Sequence, residues 1–123
     1  MTYDTSLVDR ARARRHRRQE AVRKATLRHL IRLLDEHAAA FDLSDPTIFG
    51  SVTRPGRFRE ASDVDIAVER IGAEAFFEAM SLLSTELGRP VDLVRLSECH
   101  FAERIRERGI RWTRPSSYYS HPT

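Results

Sequence analysis

The hexapeptide D-V-D-I-A-V at residues 63–68 decides how the rest of this chain is read. It alternates without a break, and a period of two is the signature of a strand with one buried face. Side chains alternate across a strand, so Val64, Ile66 and Val68 share one face while Asp63 and Asp65 share the other. Downstream, residues 73–87 carry Phe76, Phe77, Met80, Leu83 and Leu87 at helical spacing, which predicts a helix with these side chains in the core. Gly88 falls where a C-cap glycine belongs, with Pro90 just beyond it. Residues 91–96, V-D-L-V-R-L, form the next predicted strand, and Asp92 interrupts its apolar run. Ser97 is a candidate cap for a last helix over 98–108 that ends at Gly109. Upstream, Thr47-Ile48-Phe49 reads as a short buried strand halted by Gly50-Ser51. Residues 51–62 read as one helical turn and then a loop holding Arg54, Arg57 and Arg59.

Residues 7–40 contain neither Gly nor Pro and are rich in Ala, Arg, Leu and Glu, a composition that favours helix. In the second half Leu27, Leu30, Ile31 and Leu34 make an apolar stripe that Ala38 and Phe41 continue. The first half has mostly Ala and Val on its inner face and is expected to project beyond the core. Pro46 breaks the helix upstream of itself, because the residue before proline disfavours the helical region. The element order is thus α-β-(short α)-β-α-β-α, an α+β (mixed α/β) domain with a small mixed sheet flanked by helices and a long N-terminal helix. It divides into a basic helical arm over 1–26, a domain over 27–113 and a polar, flexible tail over 114–123. Trp112 is expected to pack the C-terminal segment onto the domain.

A length of 123 residues suits one domain, and 41% hydrophobic residues suffice for a real core. No apolar run reaches the roughly 18–20 residues that a membrane span needs, so no membrane association is expected. Cys99 is the one cysteine, which excludes an internal disulfide and a Cys-based zinc site and makes a cytoplasmic setting the default. It reads as a partly buried thiol, and the five histidines lack metal-ligand spacing. Charge is unevenly spread. Residues 1–34 hold ten basic and three acidic side chains, whereas the remaining 89 hold eleven basic and fifteen acidic. The arm R-A-R-A-R-R-H-R-R can meet nucleic acid or an acidic surface, or simply be a solvated helix face. It lacks the interleaved aromatics that single-strand stacking uses, so nucleic acid is not the expected partner.

The chemistry is expected where acids converge. If the strands at 63–68 and 91–96 pair, Asp63, Asp65 and Asp92 meet on one patch of the sheet. Three carboxylates so placed repel one another unless a cation is present, and hard divalent ions with oxygen ligands, above all Mg²⁺, answer that need. Two such ions about 3.5–4 Å apart are a known solution for displacement at phosphorus. Phe49-Gly50-Ser51, between a strand and a helical turn, adds close backbone approach at Gly50, N–H groups that attract phosphate, and the Ser51 hydroxyl.

F-G-S, then D-V-D-I-A-V, then V-D-L-V resembles the nucleotidyltransferase superfamily typified by DNA polymerase β, whose motif is G-S, about ten residues, then D-x-D. More closely it resembles the minimal nucleotidyltransferases (MNT), often encoded beside a HEPN-domain toxin; the likeness runs from about Leu27 to Trp112. The resemblance implies that Gly50 and Ser51 bind phosphate, that Asp63 and Asp65 bind two Mg²⁺, and that Asp92 completes the metal site and helps deprotonate the acceptor. Eleven residues separate Ser51 from Asp63, one more than the usual spacing. The implied activity is Mg²⁺-dependent transfer of AMP from ATP to a tyrosine hydroxyl of a HEPN ribonuclease toxin, which makes the chain its antitoxin and hetero-oligomeric partner. Two other readings stand beside it: an antitoxin that works by occlusion without catalysis, and a nucleotidyltransferase for RNA or a small-molecule hydroxyl.

Overall fold

The structure, a computed structural model, describes residues 5–115. Helix α1 spans Ser6–His37, strand β1 Thr47–Phe49, a 3-10 turn Ser51–Thr53, strand β2 Val64–Val68, helix α2 Ala73–Leu87, strand β3 Val91–Arg95, a second 3-10 turn Leu96–Glu98, helix α3 Ala102–Arg108 and strand β4 Ile110–Arg111. The sheet order is β3-β2-β1-β4. Strand β1 runs antiparallel to β2 and to β4, while β2 and β3 are parallel. The mixed α+β class and the long first helix are as the sequence predicts. Among the described residues no helix is long and apolar enough to cross a membrane.

Alternation on the strands sets the two layers. Ile48, Val64, Ile66, Val68, Val91 and Leu93 face a core shared with Leu30, Leu33 and Leu34 of α1 and with Ala79 and Leu83 of α2. The opposite face is only partly covered. There Ala67 packs against Leu96 and Ile105, with Phe49, Val94 and Cys99 around them. Helix α3 therefore sits over the Ala67–Val94 end of the sheet and leaves the Asp65–Asp92 end open.

Four expectations need correction. Helix α1 stops at His37, and Asp42 and Asp45 then take positive φ (53° and 48°), which turns the chain into β1 before Pro46. Strand β3 ends at Arg95, and the last helix begins at Ala102 instead of 98, because Leu96 must turn inward to meet Ile105 and Cys99 then runs extended. Phe77 is not core. It is 67% exposed and packs edge-on against Phe76, because Phe76, Met80, Leu83 and Leu87 already fill the stripe that faces the sheet. Strand β4 went unpredicted; two residues give no periodicity to read. The predicted cap at Gly88 holds: its φ is 74°, and the Gly88 and Arg89 N–H groups both donate to the Ser84 carbonyl. Trp112 is buried as expected, and its ring N–H donates to Asp35 at 2.7 Å.

The arm is mostly exposed as far as Arg18, yet it is anchored beyond that. Buried Arg23 donates to the Val52 carbonyl (3.1 Å) and to Glu20, and Glu20 accepts from the Gly56 N–H (3.1 Å). This pair ties α1 to the loop that follows Ser51. Arg23→Ala removes the contacts to Val52 and to Glu20 from a buried position and is expected to cost about 2–3 kcal/mol in urea unfolding. The tail from 116 onward, with Tyr118 and Tyr119, lies outside the described residues, as does the segment 1–4.

Candidate active site

Strand register brings the predicted acids together. Asp65 on β2 stands opposite Asp92 on β3, and on its other side Phe49 of β1 is its partner. Asp63 lies just before β2, two residues back on the same side. Gly50 follows Phe49 directly, and a Cβ built on it would strike the Asp65 carboxylate oxygen. With φ 83° and ψ −156°, Gly50 occupies a region essentially closed to other residues. Its carbonyl accepts from both the Thr53 N–H (3.1 Å) and the Thr53 hydroxyl (2.7 Å), which fixes the turn. Ser51 opens that turn half-buried. Among the described residues, no group of three or more His, Cys, Asp or Glu side chains is placed so as to hold a metal ion. What the fold brings together is one row, Phe49–Asp65–Asp92, with Gly50 against the middle acid and Asp63 beside it.

The electrostatics follow from that row. Burial, then the charge of Asp92, then that of Asp63, push the Asp65 carboxyl from its ordinary 3.8 up to about 6. A carboxylate raised by burial and like charges is a frequent mark of a functional site. The donor set is all oxygen and all acidic, the chemistry that suits a hard divalent cation. A bound cation would reverse the shift on Asp65 by replacing repulsion with attraction.

Arg89 was not foreseen as part of the site's support. It donates to the carbonyls of Arg59, Glu60 and Ser62 (3.2, 2.8 and 2.7 Å) and lies over the Phe58 ring at 4.5 Å, so it shapes the loop that delivers Asp63. A cation placed next to the glycine cap is the only trace of this in the sequence. Of the three loop arginines, Arg59 turns toward Gln19 of α1, whereas Arg54 lines a cleft beside Gly50. A roomier cleft of about 600 Å³ between α1 and the 58–60 loop holds none of the five predicted site residues.

Together, the fold and the site define a mixed α+β domain that carries an acidic row beside a glycine turn. Comparison of the chain with protein-family models, curated proteins and solved structures returns no match.

Proposed function

We propose that this chain is a nucleotidyltransferase with the DNA polymerase β-like fold, of the minimal kind. In this reading it moves AMP from ATP to a tyrosine hydroxyl of a HEPN-domain toxin in the cytoplasm and thereby acts as an antitoxin. The observation that carries it is the register: Asp65 faces Asp92 across two parallel strands while Gly50 lies against Asp65.

Gly50 and Ser51 take the phosphates, since a backbone without Cβ allows close approach and the opening N–H groups of a helical turn lack internal partners. Asp63, Asp65 and Asp92 would hold Mg²⁺, which supplies charge neutralisation at the phosphates and acidifies the acceptor. The acceptor hydroxyl oxygen bonds to the α-phosphorus, and the bond from that phosphorus to the bridging oxygen breaks. Pyrophosphate leaves with the electron pair, and the hydroxyl proton passes to the Asp92 carboxylate. The protein's part is largely to position and to screen charge.

Incubation with labelled ATP, Mg²⁺ and the product of the adjacent gene is the test. Label on a tyrosine of that partner is expected, and the Asp63→Asn/Asp65→Asn pair should abolish it. Label that goes to RNA or to a small alcohol instead would replace the acceptor, and no label on any acceptor would overturn the reading.

A further inference from the structure

We propose that Arg104 and Arg108 of α3, with Arg54, form a clamp for the phosphate tail of a nucleoside triphosphate; the assignment of the ligand rests on the nucleotidyltransferase reading. The three arginines line one cleft together with Gly50. Its volume, about 180 Å³, is below the ~300–1,000 Å³ of pockets that enclose a whole drug-sized ligand, so it suits one part of such a molecule. Phe49 and Phe101 give it apolar walls, which strengthen charge pairing by displacing water.

The arrangement of α3 argues for an anion. Its seven residues carry arginines at 104, 106 and 108. Arg106 turns away and makes a two-pronged contact with Glu69, at 3.0 Å for each prong. Arg104 and Arg108, four residues apart, share the face toward Gly50, and among the described residues no carboxylate forms an ion pair with either. Like charges at this spacing repel and weaken a short helix. The repulsion is relieved when a polyanion lies between them, and guanidinium forks match phosphate oxygens well. The acids lie on the same sheet face that α3 partly covers, so a tail held here would extend from a phosphorus placed at the Asp65–Asp92 row. The guanidinium groups would then neutralise pyrophosphate as it departs.

The experiment measures binding of inorganic tripolyphosphate in EDTA by calorimetry, alongside the KM for ATP in the transfer assay. Arg104→Ala/Arg108→Ala is expected to weaken tripolyphosphate at least tenfold and to raise the KM for ATP by a similar factor. AMP, which lacks the tail, should bind wild type and double variant alike, and Arg70→Ala, which removes an exposed charge outside the cleft, should change neither quantity. If transfer occurs but tripolyphosphate and ATP are handled equally by wild type and double variant, the clamp is wrong and the transferase reading stands. If no acceptor is ever labelled yet the tripolyphosphate loss holds, the transferase reading falls and the anion clamp stands. Absence of tripolyphosphate binding to wild type overturns the clamp outright.

Discussion

Asp65→Asn is expected to raise the melting temperature of the protein in metal-free buffer while it lowers nucleotidyl transfer by about 10³-fold or more. The two effects share one origin. The rise of the Asp65 carboxyl from 3.8 to about 6 means that the folded state holds its charge reluctantly. Fully counted, that reluctance is worth about 3 kcal/mol, and water at the half-buried carboxylate reduces it to about 1–1.5 kcal/mol. Asparagine keeps the shape and drops the charge, so about 4–6 °C is regained in a chain of this size.

The sign with pH is opposite to that of an ion-paired carboxylate. Because the folded-state value lies above the unfolded one, the folded protein binds the proton more tightly between about pH 4 and 6. The Asp65 contribution to stability therefore falls as pH rises through that window. The gap between Asp65→Asn and wild type should be near zero at pH 4 and complete by pH 7. Saturating Mg²⁺ with ATP should reverse the order, since a ligand that binds only the folded wild type stabilises it. Calorimetric melting at four or five pH values, with and without Mg²⁺-ATP, checks the whole set. A variant no more stable than wild type at pH 7 in EDTA would remove the claim that the acids repel.

Gly50→Ala is the second large effect. The alanine would have to adopt φ 83° and ψ −156°, at about 1–3 kcal/mol, and its methyl group would push into the Asp65 carboxylate. We expect a loss of at least about 3 kcal/mol in stability and of nearly all transfer activity. Gly88→Ala separates backbone from contact. Gly88 also has positive φ (74°), but no atom lies within 4 Å of where its Cβ would go, so about 1–2 kcal/mol is expected there. Asp65→Ala makes room for the methyl at residue 50, so Gly50→Ala/Asp65→Ala should cost less than the two single changes added together.

Much of this was legible in the sequence because it was written in short periods. Two-residue alternation at 63–68 and the apolar spacing of 73–87 fix which faces are buried, and Gly88-Arg89-Pro90 marks where the second helix must stop. Facing direction follows from the same arithmetic, so Asp63, Asp65 and Asp92 fall on one side provided that the two strands pair. Register does not, because a slip of two residues between β2 and β3 keeps the same faces buried while moving Asp92 away from Asp65. The remaining misses share a long-range cause. Phe77 looks apolar in its own window and is excluded only because Phe76 and Met80 take the inward positions. Arg23, Arg89 and the Arg104–Arg108 face gain their meaning from partners 20 or more residues away. A two-residue strand such as β4 exists only because β1 offers it a ladder.

That small strand has a consequence for how the protein is made. The β1 segment leads into the glycine turn, and among the described residues its outer ladder is guarded by Ile110 and Arg111 alone. On a translating ribosome, roughly 3–12 s separate the synthesis of Phe49 from that of Arg111. Throughout that interval the Thr47–Phe49 segment shows bare N–H and C=O groups to solvent, so a stall in the second half of the message would prolong its chance to pair with the wrong chain.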